Sequence, residues 1–437
     1  MSPVGRAERL IKKGGHVHLL GIGGIGMAGI AWLLKERGFR VSGCDLQQNR
    51  QTDWLARSGI EILSGHAESH ITDSVDWVVR STAVPDSHPE IRAALAKGLP
   101  VSRRGEVLPA LMRDRTCIAV SGTHGKTTTT AMIAQVLDCG FFVGGEIAGF
   151  EGAVARDGEI MVVEADESDG TVAGYSPDYA IITNIEYDHM EHHDSEAAFI
   201  GCFEKLIQQT KKTVYYCSAD PIARRICAEN PTCESYDVIE GLKLPIPGKH
   251  NQWNASAAAA VSRHWKTDAE IFQALESIRP VARRFETVFH RRGIRIVSDY
   301  AHHPTEIAAL IQTAQELKPG RLLGLFQPHR YTRTRALGED FPPSFQGLEK
   351  LWLVPVYAAS EQPLEGGTSK DLARRFSNDW KNRLHEFQSL EAAWADIQHE
   401  LREGDLLLII GAGDVEQVAE WAKGWYPGEG SNLLPTD

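Results

Sequence analysis

The chain has 437 residues, too many for one ordinary hydrophobic core, so about three domains of roughly 100–200 residues each are expected. Its 42% hydrophobic and 24% charged residues are those of a soluble globular protein rather than a fibrous or disordered one. The formal net charge of −12 argues against non-specific nucleic-acid or anionic-membrane binding, and no apolar run approaches the roughly 20 residues of a membrane helix; small-molecule partners are expected instead.

The first residues are mixed polar, without the apolar stretch and cleavage site of a secretory leader. The seven cysteines, at 44, 117, 139, 202, 217, 227 and 233, are odd in number and include no Cys-x-x-Cys pair, which disfavours a disulfide framework and a zinc ribbon. A reduced, cytoplasmic protein is expected.

Short apolar runs alternate with helical patterns, the signal for parallel sheets covered by helices. Residues 17–20 read as a buried strand, followed by a glycine loop and a helix through Ala31, Trp32 and Leu33. Residues 117–120 repeat that arrangement, with a loop at Gly122 and a helix over 127–137; 160–163 and 179–182 read as further strands of the second unit. A third unit takes strands at 294–297, 322–326, 351–356 and 406–410. The predicted class is therefore α/β, with three domains in series and boundaries near Gly105 and Phe285. The stretch after Tyr426 is turn-rich and reads as a mobile tail.

The first loop, Gly21-Ile-Gly23-Gly24-Ile-Gly26, matches Gly-x-Gly-x-x-Gly after a strand, and Asp45 follows nineteen residues after Gly26. This is the spacing of a dinucleotide fingerprint, with the carboxylate on a ribose hydroxyl, and taken alone it points to an NAD-dependent oxidoreductase. The same geometry holds any nucleotide diphosphate, so the loop specifies pyrophosphate more securely than nicotinamide.

The second loop, Ser121-Gly122-Thr123-His124-Gly125-Lys126-Thr127-Thr128, also lies between a strand and a helix, where backbone amides and a helix N-terminus converge on phosphate. Lys126 would neutralise the β- and γ-phosphates of ATP and the Thr127 hydroxyl would reach Mg²⁺. The consensus match is incomplete, because Val120 stands where the general pattern has its first glycine.

Polar clusters follow the remaining strands. Glu164, Asp166, Glu167 and Asp169 sit at a strand's carboxyl end, where one or two carboxylates plus substrate phosphates can hold Mg²⁺. Asn184, Asp188 and His189 occupy the same place after the next strand, His189 being either a metal-assisting group or a structural histidine; the His192-His193 pair reads as surface. In the third unit, Asp299-Tyr300-Ala-His302-His303-Pro304 and Gln327-Pro-His329-Arg330-Tyr-Thr-Arg333 lie at strand-helix junctions, with Pro304 suited to a first helical turn. Arg330 and Arg333 could offer paired forks to a carboxylate or phosphate. Together these clusters imply two anionic substrates meeting at a domain junction.

With these residues in view, segments 18–27, 121–130, 164–169, 183–190, 248–254, 283–285, 299–306 and 326–334 resemble, in order and over nearly the whole chain, the Mur ligase family. The ordered combination is far more specific than any one segment. The resemblance implies a Rossmann-like UDP-sugar-binding domain over 1–106, a P-loop ATPase domain over 107–286 and an α/β amino-acid-binding domain over 287–437. It implies ATP-dependent joining of L-alanine to the carboxylate of UDP-N-acetylmuramate through an acyl phosphate, in peptidoglycan precursor synthesis, with ATP and Mg²⁺ required. On that reading Gly21, Gly23, Gly24, Gly26, Asp45, His66 and Ser81 bind the UDP-sugar, not NAD. Gly122, Thr123, His124, Gly125, Lys126, Thr127, Thr128, Asn251, Asn254, Arg284 and Asp299 would serve ATP. The resemblance makes Thr127, Glu164 and His189 metal ligands, and Tyr300, His302, His329, Arg330 and Arg333 the amino-acid pocket. Lys126, Glu164, His189, Arg284, Asp299 and His329 are then the catalytic set.

Three departures stand out: a segment over about 217–247 shorter than the family's, suggesting a trimmed central sheet; Ser298 where a second aspartate is common; and Gly170-Thr171-Val172 in place of an Ala-Ser-Phe-like sequence. Three rivals remain: a recycling ligase that attaches a preformed tripeptide to the same UDP-sugar; the oxidoreductase, which leaves Lys126 and Glu164 idle; and a non-catalytic nucleotide-binding partner that keeps the fold and binds ATP without turnover.

Overall fold

A computed structural model describes residues 2–145, 147, 155–165, 171–187, 195–359 and 361–425. His189, the acidic positions 166–169, Asp188, Gly170, the His192-His193 pair and the tail after 425 lie outside the described residues. The chain divides into two compact units, one of residues 1–245 with 251–282, the other of 246–250 with 283–437.

The first unit holds two sheets. Strands β1 (His16–Leu20), β2 (Arg40–Asp45), β3 (Glu61–Ser64), β4 (Trp77–Arg80) and β5 (Val101–Arg103) form an all-parallel sheet in the order β3-β2-β1-β4-β5. Every residue of β1 is buried, as expected for a central strand covered on both faces. The helix Ile25–Glu36 starts directly after the glycine loop and ends where Gly38 takes a positive φ.

The second sheet comprises β6 (Thr116–Ser121), β7 (Gly140–Phe142), β8 (Ala155–Arg156), β9 (Ile160–Glu164), β10 (Tyr179–Ile182), β11 (Thr213–Cys217) and β12 (Cys233–Tyr236), in the order β12-β11-β10-β6-β9-β7-β8. Among the described residues, only the short edge pair β7–β8 is antiparallel in this sheet. Because β6 lies between β9 and β10, the loop leaving β6 sits where the strand order reverses, the usual ligand crevice of an open α/β sheet. The segment 217–247 still contributes a helix (Pro221–Cys227) and the edge strand β12.

One continuous apolar core runs through both sheets, including Leu33, Trp54, Leu111, Phe142, Met161 and Phe203. At its rim Asp157 accepts hydrogen bonds from Arg37 (3.2 Å) and Arg115 (3.0 Å), tying the helix Ile25–Glu36 to the turn before β9.

In the second unit, β13 (Glu286–Arg291), β14 (Ile294–Asp299), β15 (Arg321–Phe326), β16 (Lys350–Leu353), β17 (Leu384–Glu386) and β18 (Asp405–Ile410) form a sheet in the order β13-β14-β18-β15-β16-β17. It is parallel except for the β13–β14 hairpin. Separate apolar clusters cover its two faces, one around Phe326, Phe341 and Phe345, the other around Trp352, Trp394 and Ile409. The strand expected over 351–356 stops at Leu353, because Pro355 has no amide to continue the ladder. Pro304 opens the helix Pro304–Glu316 as its sequence position suggested, with His303 as the N-cap.

Candidate active site

The loop between β6 and the helix Lys126–Leu137 adopts backbone angles that explain its two glycines. Gly122 has φ +133° and Gly125 has φ +83°, in the region that side chains rarely adopt. A Cβ on Gly122 would lie 2.1 Å from Thr183 Oγ1, and one on Gly125 would lie 2.4 Å from Asn254 Oδ1. Val120, which breaks the general consensus, is an interior residue of β6 paired with Ile181 on one side and Glu164 on the other. The turn therefore starts one step after the strand, and Gly122 and Gly125 carry its curvature.

Hydrogen bonds from the residues after β10 brace this loop. Thr123 N donates to Asn184 O (3.0 Å), His124 N donates to Asn184 Oδ1 (2.8 Å), and Asn184 Nδ2 donates to His124 O (3.0 Å). His124 Nε2 lies 2.8 Å from a Glu186 carboxylate oxygen. The Lys126 ammonium folds over the loop, donating to the Gly122 carbonyl at 2.5 Å and the Thr123 carbonyl at 3.2 Å. From the helix Lys249–Ser262, buried Asn251 and Asn254 hydrogen-bond each other at 3.3 Å, and Asn254 backs onto Gly125.

Glu164 ends β9 beside the loop. A Cβ on Gly144 would lie 2.7 Å from Glu164 Oε2, and one on Gly145 would lie 3.4 Å from Thr127 Cγ2, so the Gly144-Gly145 backbone lies against both side chains. A hydroxyl and a carboxylate at the crevice, beside a phosphate cradle too tight for any Cβ, suit a nucleoside triphosphate with a hard divalent cation such as Mg²⁺.

The first glycine loop lies at the carboxyl end of the other sheet. Asp45 is tied to that loop: its Oδ2 accepts the Gly23 amide at 2.9 Å and its Oδ1 accepts the Gln47 amide at 3.3 Å. Ser81, at the end of β4, faces Gly21, whose missing Cβ would lie 3.2 Å from that of Ser81. His66 turns inward, its Nδ1 3.3 Å from Cys44 Sγ and 3.3 Å from a Glu90 carboxylate oxygen. Gly26 leaves room for Arg104, whose Nη1 would be 2.4 Å from a Cβ there. Sequence reading missed Arg104, although it sits in the Arg103-Arg104-Gly105 run assigned to a domain boundary. A cavity of about 200 Å³ joins Ile25, Gly26 and Arg104 to Gly144 and Glu164.

In the second unit the expected residues gather at the carboxyl ends of β14 and β15. Asp299 accepts the amides of Phe285 (2.7 Å) and Ala301 (2.8 Å); burial pushes its pKa up, opposed by the nearby Arg284 guanidinium. Arg283 and Arg284 lie over the Tyr300 ring at 4.9 and 5.3 Å. Tyr300 packs edge-on against His302, His302 lies 5.7 Å from the His329 ring, and His329 stacks on Tyr357. Arg333, buried, reaches His329 Nδ1 at 3.2 Å. Arg330 caps the helix Tyr331–Ala336 at φ +68°, a strained conformation for a side-chain-bearing residue, and its amide donates to Tyr357 O at 2.8 Å. Tyr357 was not singled out from sequence and stands in no motif, whereas Glu306, which accepts the His302 amide at 3.0 Å, closes the 299–306 segment without having been given a role there.

These features define an α/β protein with two glycine loops, each between a strand and a helix at a sheet's carboxyl end, and another sheet presenting a His/Arg/Tyr cluster. Family profiles described as "Mur ligase family, catalytic domain", "Mur ligase middle domain" and "Mur ligase, glutamate ligase domain" match residues 16–116, 120–239 and 283–413. The UDP-N-acetylmuramate–L-alanine ligase of Carboxydothermus hydrogenoformans is 38% identical, over 94% of this chain and 97% of its own. The solved structure of the UDP-N-acetylmuramate–alanine ligase of Thermotoga maritima superposes with a TM-score of 0.78 at 29% identity, covering 93% of this chain and 98% of that one. A murein peptide ligase from Psychrobacter arcticus shares the fold, with a TM-score of 0.69 at 21% identity over 94% of this chain and 98% of that one. The chain belongs to the Mur ligase family, a family of ATP-dependent ligases. Neither the oxidoreductase nor the tripeptide ligase is favoured by these relatives.

Proposed function

We propose that this chain joins L-alanine to the carboxylate of UDP-N-acetylmuramate at the expense of ATP, in a reduced cytoplasm where both nucleotides are available. The observation that carries this reading is the cavity shared by Gly26 and Arg104 from the first glycine loop's surroundings and by Glu164 from the ATPase sheet. It gives a sugar carboxylate held at the first loop a path to a triphosphate held at the second. The likeness to full-length alanine ligases supports the choice of amino acid. The domain limits that go with this reading are 1–106, 107–286 and 287–437.

The muramoyl carboxylate oxygen attacks the γ-phosphorus, the β–γ bridging bond breaks and ADP leaves. The alanine amine then attacks the carbonyl carbon of the acyl phosphate, loses a proton, and inorganic phosphate departs. Two anions must approach each other, so positioning and positive charge dominate the barrier. Lys126 supplies that charge at the γ-phosphate; Gly122, Thr123, His124, Gly125, Thr127 and Thr128 present amides and hydroxyls to the phosphates, and Asn251 and Asn254 lie on the adenine side. Bound Mg²⁺, held by Thr127 and Glu164 with His189 at a second position, would draw charge from the transferring phosphoryl group. Gly21, Gly23, Gly24, Gly26 and Ser81 receive the UDP pyrophosphate, Asp45 holds that loop in shape, and His66 flanks it. Arg284 and Asp299 would serve ATP, as the family resemblance implies. Tyr300, His302, His329, Arg330 and Arg333 bind the amino acid, the guanidinium groups taking its carboxylate.

The test is ADP release by the purified chain with Mg²⁺, ATP and UDP-N-acetylmuramate, adding L-alanine, glycine, L-serine or the tripeptide separately. The expected result is turnover strongest with L-alanine. No ADP with any acceptor would sink the reading, and turnover with the tripeptide alone would transfer it to the recycling reaction.

A further inference from the structure

Behind the first glycine loop, whose Gly21 and Ile22 amides donate to Cys44 O at 2.9 and 3.1 Å, the first sheet carries buried polar groups to which the ligase chemistry assigns no role. His18 in the middle of β1, Cys44 near the end of β2 and Glu90 in the helix Pro89–Ala96 are each fully buried, and His70 joins them from a short 3₁₀ turn with its side chain 15% exposed. His18 Nε2 and Cys44 Sγ each lie 3.2 Å from Glu90 Oε2, and His70 Nδ1 lies 3.2 Å from Glu90 Oε1. Taking one donor atom from each residue, all four lie within 4.8 Å of one another. Ligands on a tetrahedral zinc ion, at about 2.0–2.3 Å from the metal, are about 3.3–3.8 Å apart, so the four donors need only small rotations to surround one ion.

The surroundings have the form that metal sites use to orient their ligands. The other nitrogen of His18 is 2.8 Å from the Ser42 hydroxyl, which is itself 2.8 Å from His16 Nε2, so His18 is turned with Nε2 toward Glu90. Glu90 also accepts the Ala67 amide at 3.0 Å. His66 and His88 pack edge-to-face behind the cluster, and Nδ1 of His88 is buried with no hydrogen-bond partner. Charge agrees with this: a divalent ion with one thiolate, one carboxylate and two neutral imidazoles is neutral overall, which suits a buried site whose Cys44 packs in an apolar cluster with Leu20, Ile71, Val78 and Ile91.

We infer that His18, Cys44, His70 and Glu90 form a structural binding site for a borderline-soft divalent cation, with Zn²⁺ the best match to a thiolate, two imidazoles and a carboxylate. Four protein ligands leave no open position, so the ion clasps β1, β2, the 3₁₀ turn and the helix Pro89–Ala96 together instead of taking part in ligation. Entry is from the His70 side, the only ligand with solvent exposure.

The full chain, stripped with a chelator and titrated with Co²⁺ without nucleotide, tests this. The expected result is one equivalent of cobalt bound with intense tetrahedral absorption and a near-ultraviolet thiolate-to-cobalt band, both displaced by Zn²⁺, and a higher melting temperature with Zn²⁺ than without. Cys44→Ser should lose the thiolate band, and His70→Asn, at the exposed edge where folding is least at risk, should weaken binding at least tenfold. A wild-type chain that gives no tetrahedral spectrum and retains no zinc after gel filtration overturns the proposal, leaving a hydrogen-bonded cluster only. A thiolate band that survives in Cys44→Ser overturns it as well, since the ion would then sit on another cysteine.

Discussion

The Asp45 carboxylate accepts the backbone amide of Gly23 at 2.9 Å, so the acidic residue of the fingerprint spends one oxygen on the glycine loop itself. Asn49 Nδ2 adds a second tie to the same residue, donating to Gly23 O at 3.2 Å. An acid placed in this way shapes the pyrophosphate cradle whichever nucleotide occupies it. Asp45→Ala is therefore expected to raise KM for UDP-N-acetylmuramate by about 10- to 100-fold while changing kcat less, because the lost hydrogen bond to a charged acceptor is worth about 1.5–3 kcal/mol. Steady-state kinetics at saturating ATP measure the split; an unchanged KM would remove Asp45 from the loop's support.

Lys126→Ala should reduce kcat by about 10²–10³-fold, the usual cost of removing one preorganised charge from a transition state. The fold should be retained, since the ammonium lies on loop carbonyls outside the apolar core. Circular dichroism alongside single-turnover ADP formation separates the two effects, and near-normal turnover would refute the role.

Gly125→Ala combines a positive φ with a 2.4 Å approach to Asn254 Oδ1. The expected consequence is ATP affinity weakened by about tenfold or more, from strain of about 1–3 kcal/mol in the loop. Isothermal titration with a non-hydrolysable ATP analogue reads it. Adding Asn254→Ala should recover part of the loss if the clash contributes, and none if φ alone is responsible.

Arg333→Lys keeps the charge but not the planar fork, and leaves His329 Nδ1 without its guanidinium partner in a buried position. KM for L-alanine should rise about tenfold or more with little change in KM for ATP. A uniform change in both constants would place Arg333 outside the amino-acid site.

Asp157 sets an acid limit on stability. Burial alone would raise its pKa, but the bonds from Arg115 and Arg37 outweigh it and hold the carboxyl below its ordinary 3.8. A depressed folded-state pKa stabilises the protein above the unfolded value, and that contribution is lost as pH falls from about 3.8 through the lower folded-state value. Asp157→Asn should cost about 1–3 kcal/mol near neutral pH, with the gap to the unaltered chain closing below pH about 3.8. Urea melts at neutral and acid pH measure it, and a gap independent of pH would contradict the linkage.

Hydrophobic runs and glycine spacing made the α/β class, the two phosphate loops and the central strands readable in the linear chain. These are local signals: a buried parallel strand is a short apolar run, and a loop that must hold phosphate close to its backbone needs glycine within a few residues. The polar groups after β14 and β15 were legible for the same reason, as they sit at strand ends, the first beside the helix-opening Pro304. What the chain order could not supply was which distant residues complete each site. Arg104 beside Gly26, Asn254 behind Gly125 and Tyr357 against His329 come from elements far apart in sequence, and only the strand orders bring them together. The same holds for Asp45, whose spacing marks it as a nucleotide contact and whose carboxylate also accepts the Gly23 amide, and for His18, Cys44, His70 and Glu90, which share no motif. Residue chemistry and short-range pattern are written along the chain, whereas a polar group's partner depends on how parallel strands are ordered, and that order is decided by burying the apolar faces of the whole sheet.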